Sequence, residues 1–319
     1  MVDLRREFLQ KAEARLPFGM RPSPFTDRGD WLGQSELVFA LTNGFPTTPG
    51  HTLVLPVDFS VYRFPELARD EIADHHRMLK FLKPAFMKHF QPDGFNVGWN
   101  MDFCGGQSIA HAHMHIMPRY NTVNSQHGIN PKGGIARMPF ESRPTYYDSN
   151  EGLPDVRQMR IIAENEHAAA VALPVENAMT QGHSLILPKG NYRNVFTLPT
   201  GAYTAQLDLA LDVMNRQQDS ASPPDGYNLG WDAGKAAGQL TSLAYLHLVP
   251  RYNGDMASPR GGIIRILPQE AWPKGTDYYN QENAGKDIPL TERISFPFHF
   301  WTDVKRTSIL DLRRPPVMA

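Results

Sequence analysis

A single cysteine, Cys104, stands in 319 residues, which excludes an internal disulfide framework and a cysteine-built metal site. Charge in excess of either sign is missing as well. The 32 Lys and Arg against 33 Asp and Glu leave a formal net charge of −1, so there is no basic field to hold nucleic acid or an anionic membrane. No stretch reaches the ~18 apolar residues that a membrane helix needs. The opening MVDLRREFLQKAEARLPF is charged throughout and has no apolar core of signal-peptide length. These absences predict a cytoplasmic protein without nucleic-acid or membrane partners. What remains is an ordinary globular composition, 41% hydrophobic, with enough chain for two domains with good cores.

Against that background one run stands out. GGQSIAHAHMHIMPRY carries His111, His113 and His115 at two-residue spacing. On a strand, successive side chains alternate faces, so the three imidazoles would point the same way, about 6.6 Å apart, while Ala112, Met114 and Ile116 face the opposite side and bury. Ordinary half-buried histidines are one reading of such a row and a metal site is another, since imidazole binds zinc and iron. Neighbouring rings on a straight strand converge poorly on one ion, however, and no nearby Cys or Glu offers a fourth ligand. Before the row, Gly105 and Gly106 permit a tight turn in which backbone amides can approach an anion, with Gln107 and Ser108 as further donors. The combination predicts a phosphate site.

These residues resemble the motif of the histidine-triad family of nucleotide hydrolases and transferases, in which three histidines alternate with apolar residues after a Gly-Gln-Ser/Thr turn. Here the motif runs from His111 to Met117. The family's upstream Asn-x-x-Pro-x-x-x-Gly-His-x-Leu element is matched by NGFPTTPGHTL, Asn43 to Leu53. The resemblance implies that His113 attacks the α-phosphorus and becomes a covalent nucleotidyl-histidine. It implies a ribose contact at Asn43 and phosphate contacts at Asn100, Gln107 and Ser108. His51, His111 and His115 would orient the nucleophile and serve the leaving group. It further implies a purine nucleotide as substrate, with a phosphoramidate or polyphosphate leaving group.

Elementary chemistry points the same way. An imidazole with an ordinary pKa of about 6.5 is largely neutral at pH 7, so its free nitrogen can attack without a separate strong base. The phosphoramidate it forms splits one hard displacement into two easier ones. No cofactor and no metal is called for. Two further readings stay open: a nucleotidyltransferase or phosphorylase that takes phosphate or a sugar phosphate in place of water, and a nucleotide-binding regulator with little turnover.

The chain also repeats itself. GFNVGWNMDFCGGQ from Gly94 aligns with GYNLGWDAGKAAGQ from Gly226 at an offset of 132, with 12 identities in 28 positions over 94–121. The same offset carries Gly50 and His51 onto Gly182 and His183, and His115, Pro118, Arg119 and Tyr120 onto His247, Pro250, Arg251 and Tyr252. PKGGI at Pro131 and PRGGI at Pro259 extend the match at an offset of 128. In the second copy Leu243 and Tyr245 replace the first two histidines, Leu240 the serine, Val175 the first asparagine, and Asp232 stands for Asn100. A carboxylate there would repel phosphate, so this copy reads as catalytically dead, with His183, Gln239 and His247 as relics that pack or hydrogen-bond. Galactose-1-phosphate uridylyltransferases and dinucleotide phosphorylases also resemble doubled histidine-triad domains. They usually carry glutamine at the third triad position, where this chain keeps His115, which favours a hydrolase-like reading.

The expected fold class is α+β: two tandem domains, each a mainly antiparallel sheet with helices, forming an intrachain pseudo-dimer that is a monomer or pairs further. The expected order is an N-terminal helix (1–16), a catalytic domain (17–140), a linker (141–155), a degenerate domain (156–270) and a C-terminal extension (271–319), whose His299 and Trp301 are read as packing. ELVFALTN and HTLVLPV read as strands and PELARDEIADHHRMLKFLKPAFMKHF as a helix with a possible break at Pro84. His75 and His76 on that helix are expected to be exposed or to pack rather than to react.

Overall fold

The computed structural model describes residues 20–25, 31–44, 48, 50–120, 159–175, 178–239, 241–255 and 262–263. The expected N-terminal helix, the linker, PKGGI, Leu240 and the C-terminal extension with His299 and Trp301 lie outside the described residues.

In chain order come β1 (Arg21–Pro22), β2 (Trp31–Gln34), β3 (Val38–Thr42), β4 (Thr52–Pro56), a 3₁₀ turn at Phe64–Glu66, α1 (Arg69–His89), β5 (Gly94–Met101), β6 (Ile109–Ala110) and β7 (Met114–Arg119). They are followed by β8 (Ile161–Glu164), β9 (Ala168–Ala172), β10 (Ser184–Pro188), a 3₁₀ turn at Val195–Thr197, α2 (Thr200–Gln218), β11 (Gly226–Ala233), a 3₁₀ turn at Lys235–Ala237 and β12 (Leu246–Arg251). Ten strands form one sheet in the order β2-β3-β4-β7-β5-β11-β12-β10-β9-β8. Every pairing in it is antiparallel. The class is α+β, a large antiparallel sheet with few helices. β5 meets β11 in the middle, Gly98 opposite Gly230, so the second set of strands continues the sheet in the reverse order of the first.

Two-residue alternation decides which side chains reach which face. Phe95, Val97, Trp99 and Met101 of β5, and Tyr227, Leu229, Trp231 and Ala233 of β11, enter one core shared with the helices. Trp99 meets Trp231 edge-on at 6.1 Å, Tyr203 of α2 stacks on Trp231 at 4.9 Å, and Trp231 Nε1 donates to Gln206 Oε1 at 3.1 Å. Truncating either tryptophan to alanine costs about 3–5 kcal/mol in such a setting. The intervening Asn96, Gly98 and Asn100, with Asn228, Gly230 and Asp232, fall on the other face.

The α1 helix starts where the Glu71 carboxylate accepts the Ala68 N–H at 2.8 Å, with Asp70 beside it and Lys88 and His89 in the last turn, as the helix dipole favours. The break expected at Pro84 does not occur. Pro84 is exposed, so the bond it removes is lost on the water side, while buried Leu79, Leu82 and Phe86 hold the helix to the sheet on both sides of it. His75 and His76 are fully buried and pack. His75 Nδ1–H donates to the Glu71 carbonyl at 2.7 Å, and His76 stacks on Tyr203 at 4.2 Å and reaches the Val195 carbonyl at 3.3 Å, tying α1 to the region of α2.

On the second face a buried polar network crosses the β5–β11 seam. Arg119 donates to Asn96 Oδ1 at 3.1 Å, and Asn96 Nδ2 donates to Asp232 Oδ1 at 2.6 Å and to the Ala237 carbonyl at 2.8 Å. In the other direction Arg251 donates to Asn228 Oδ1 at 2.7 Å, and Asn228 Nδ2 donates to Asn100 Oδ1 at 2.8 Å and to the Gly105 carbonyl at 2.6 Å. Each half thus hydrogen-bonds the other's asparagine or aspartate. The strands approach closely enough that a Cβ on Gly98 would overlap the Leu229 carbonyl oxygen and lie 2.7 Å from Gly230 Cα. Gly98→Ala is therefore expected to lose about 3 kcal/mol or more of stability in urea unfolding. Gly201→Ala, in the first turn of α2 with nothing within 4 Å of its Cβ, is expected to gain about 0.5–1 kcal/mol. Equal midpoints for the two variants would contradict this account of the seam.

Candidate active site

The row of three histidines is not a strand. β6 stops at Ala110 and β7 begins at Met114, so only His115 stands in the ladder. Between them the chain leaves the sheet because the Ala112 N–H donates to the Val61 carbonyl at 2.9 Å and the His111 N–H to the Ile109 carbonyl at 2.9 Å. The apolar alternation holds all the same, with Ala112, Met114 and Ile116 in the core. The rings do not point alike. His111 turns against Phe59 at 4.5 Å and Phe39 at 6.0 Å, whereas His113 meets His115 edge-on at 4.9 Å. Among the described residues no three His, Cys, Asp or Glu side chains gather as a metal-binding group.

The hydrogen bonds fix which nitrogen of each ring carries the proton. A carbonyl only accepts, so the 2.7 Å contact from His113 Nδ1 to the His111 carbonyl places the proton on Nδ1 and leaves the lone pair on Nε2. His111 Nε2–H likewise donates to the Pro56 carbonyl at 2.8 Å, and its Nδ1 accepts from the Ser23 hydroxyl at 2.9 Å. His111 thus orients His113 through its backbone, while its own ring is anchored elsewhere. His51 Nε2 lies 3.1 Å from His115 Nδ1, Asn43 Nδ2 sits 3.2 Å from His51 Nε2, and Asn100 Nδ2 lies 3.3 Å from His115 Nε2. His51, His113, His115, Asn43 and Asn100 are thereby brought together.

Two expected contributions to a phosphate cradle turn out otherwise. Gln107 spends both amide hydrogens on backbone, donating to the Tyr62 carbonyl at 2.6 Å and the Ile109 carbonyl at 2.9 Å, while its Oε1 accepts the Asp102 N–H at 3.3 Å. It braces the loop instead of facing the histidines. The glycine turn is closed on itself, since the Gly106 N–H donates to the Phe103 carbonyl at 2.9 Å and the Gln107 N–H to the Asp102 carbonyl at 3.1 Å. The second half has a similar brace. Gln239 donates to the Arg193 and Leu243 carbonyls and accepts the Gly234 N–H, and the Gly238 N–H donates to the Lys235 carbonyl. Gly105 is needed for packing, because a Cβ there would overlap the Met101 and Tyr227 carbonyl oxygens. Ser108, half-buried at the mouth of the turn, has no partner for its hydroxyl among the described residues. Sequence reading missed Ser23, Asn96, Asn228 and Ile263. The signal for the asparagines was the offset of 132, which carries Asn96 onto Asn228 as it carries Arg119 onto Arg251.

In the second copy His183 Nε2 lies 3.2 Å from His247 Nδ1, the same pairing as His51 with His115, and Asp232 Oδ2 lies 3.4 Å from His247 Nε2. Tyr245 is buried, packed edge-on against His247 at 5.1 Å and surrounded by Val171, Leu173, Leu185 and Leu187. Val175 is exposed.

Burial sets the charge of the site. Desolvation pulls His51 and His111 down to about 3 from the ordinary 6.5, with the neighbouring His113 adding to the effect on both. His113 and His115 are lowered for the same first cause. On α1, burial takes His75 to about 4 and His76 to about 3. All are neutral at pH 7. The unfolded chain binds these protons below pH 6.5 and the folded one does not, so stability is complete above pH 6.5 and falls as pH drops towards 4. The loss is roughly 1 kcal/mol per pH unit for each such group. Urea midpoints are expected to be flat from pH 8 to 7 and to fall steeply between 6.5 and 4.5. A flat profile across that window would mean that these rings are charged or solvated.

Comparison with known proteins bears on residues 27–122, which match the family model described as "HIT domain". The chain is 32% identical over 91 residues to the bis(5'-adenosyl)-triphosphatase of Saccharomyces cerevisiae, covering 28% of this chain and 44% of that protein. It is 31% identical over 121 residues to the AP-4-A phosphorylase of Mycobacterium tuberculosis, covering 37% of this chain and 60% of the relative. It thus spans less than two thirds of either. Among solved structures, an ADP-glucose phosphorylase from Arabidopsis thaliana with bound ADP-glucose superposes with a TM-score of 0.50 at 14% identity, over 81% of this chain and 94% of that one. At that identity the likeness speaks to the fold. The match to the HIT domain model at residues 27–122 falls on the half that holds the complete triad, so the likeness lies where His51, His111, His113 and His115 stand.

Proposed function

We infer that the protein transfers or hydrolyses a nucleotidyl group through His113. The observation that carries this reading is the tautomer of that ring: with Nδ1–H held by the His111 carbonyl at 2.7 Å, the Nε2 lone pair is the nucleophile, and burial keeps it unprotonated at neutral pH. Nε2 attacks the α-phosphorus, an N–P bond forms, and the bond to the leaving group breaks with its electron pair. The leaving group takes a proton from water or a neighbouring donor. Water then attacks the same phosphorus, the N–P bond breaks back onto Nε2, and a nucleoside monophosphate departs. Ser108 supplies a hydroxyl to a phosphoryl oxygen, Asn43 contacts the ribose, and His51, His115 and Asn100 hold the nucleophile's neighbours in place.

The relatives named as bis(5'-adenosyl)-triphosphatase and AP-4-A phosphorylase support a dinucleoside polyphosphate with adenine bases as substrate. In this reading residues 17–140 are the catalytic domain and 156–270 a degenerate copy. Together they form an intrachain pseudo-dimer in the cytoplasm that needs no second chain. Phosphate as acceptor in place of water is the second reading, favoured by the same phosphorylase relative.

The test loads nucleotide labelled at the α-phosphate, quenches, and counts label bound to protein. One acid-labile equivalent per chain is expected, with His113→Ala losing it and slowing turnover about 10³-fold or more. Label on both halves would refute the degenerate copy, and no label on wild type with any adenine dinucleotide would refute the covalent route. Diphosphate product formed only with added phosphate would select the phosphorylase reading over hydrolysis. Activity confined to a larger oligomer would count against internal pairing.

A further inference from the structure

The paired histidines of the two halves have the same geometry, yet the hydrogen bonds around them run in opposite directions. In the first half the direction is set from across the seam. Asn228 cannot be turned over: its Oδ1 accepts from the Arg251 guanidinium at 2.7 Å and its Nδ2 donates to the Gly105 carbonyl at 2.6 Å. Its Nδ2 also donates to Asn100 Oδ1 at 2.8 Å, and the backbone N–H of Ile263 donates to the same oxygen at 2.8 Å. A backbone N–H has no alternative role, so the Asn100 atom 3.3 Å from His115 Nε2 is the amide nitrogen. His115 Nε2 must then accept, its proton lies on Nδ1, and Nδ1–H donates to His51 Nε2 at 3.1 Å. His51 in turn carries its own proton on Nδ1, and its Nε2 lone pair faces both His115 Nδ1–H and the Asn43 amide nitrogen, 3.2 Å away.

In the second half the fixed point is at the other end. The Met179 N–H donates to His183 Nδ1 at 3.2 Å, so His183 carries its proton on Nε2 and donates it to His247 Nδ1 at 3.2 Å. His247 then holds its proton on Nε2, which lies at ion-pair distance, 3.4 Å, from Asp232 Oδ2 without hydrogen-bond geometry. The amide of Asn100 starts a chain of donors, whereas Asp232, its counterpart, puts a negative charge next to His247 Nε2.

We propose that Asn100 and Asp232 hold His115 and His247 in opposite tautomers, and that Asn228 and the Ile263 backbone, both from the second half, are positioning groups that enforce the Asn100 orientation. Gly262 makes the second of these possible. A Cβ on it would overlap Asn100 Oδ1 and the Gly105 carbonyl oxygen, which gives a structural reason for the second glycine of PRGGI. The inference bears on the site of the proposed reaction: the tautomer makes His51 Nε2, 3.2 Å from the proposed ribose contact Asn43, an acceptor, whereas the matching His183 Nε2 in the second half is a donor.

The test is nitrogen-15 NMR of the histidine rings in the intact protein at pH 7, with His115→Gln and His247→Gln identifying the two resonance pairs by their loss. Wild type is expected to show His115 protonated on Nδ1 and His247 on Nε2. The same tautomer at both would overturn the proposal. Asn100→Asp is expected to move the His115 proton to Nε2, and an unchanged His115 in that variant would equally sink it. The wild-type spectrum decides even where the variant fails to fold. Because the readout needs no substrate, a protein that never loads nucleotide on His113 would refute the proposed reaction and leave the tautomer assignment standing or falling by itself.

Discussion

The seam between β5 and β11 is the constraint on which the rest depends. Two glycines, Gly98 and Gly230, stand opposite each other so that two strands carrying buried asparagines can pair at close range. Asn96 and Asn228 each bind an arginine of their own half and a polar residue of the other, Asp232 and Asn100. Leaving a buried amide without its partners is costly, so the bonds of Asn96 and Asn228 favour the observed register and relative placement of the halves. On the opposite face the tryptophan pair and Tyr203 supply the apolar counterpart.

From that seam the site inherits its chemistry. Asn100 is at once a member of the cross-seam network and a neighbour of His115, so the second half reaches the first half's histidines through a single amide. Around His113 the environment does two things that oppose each other in water. It removes solvent, which disfavours the charged imidazole, and it supplies a carbonyl to Nδ1–H, which fixes the lone pair on Nε2. A neutral, oriented ring results, with its lone pair on Nε2. The same burial in His51, His111 and His115 makes the site's integrity dependent on pH.

A good part of this was legible in the chain. ELVFALTN and HTLVLPV read as strands and hold β3 and β4, and the offset of 132 pointed to related surroundings for GFNVGWNM and GYNLGWDA. His51, His113, His115, Asn43 and Asn100 were identified from motifs and do gather. Gln107 misled, because a glutamine beside a turn satisfies backbone carbonyls as readily as it meets a ligand, and only the positions of Tyr62 and Ile109 decide between the two. The three histidines misled as well. Residue spacing states which way side chains alternate along a regular strand, but the Val61 carbonyl draws Ala112 out of the ladder, and that partner is 51 positions away in the chain. Pro84 shows the converse, a local rule overridden by Leu79, Leu82 and Phe86 packed against the sheet.

The sequence by itself therefore determined the inventory: apolar strands, two stretches that align at an offset of 132, one complete row of three histidines and one incomplete one, and an asparagine aligned with an aspartate. Those are properties of residue identity and spacing, and neighbours far away in the chain do not alter them. Tertiary structure alone decided direction, meaning which nitrogen of each imidazole carries its proton, which amides are already spent, and which half supplies the groups that hold Asn100. Protons follow donors and acceptors in space, and here the Arg251 guanidinium, the Ile263 N–H and the Gly105 carbonyl come from remote parts of the chain to meet at one asparagine pair.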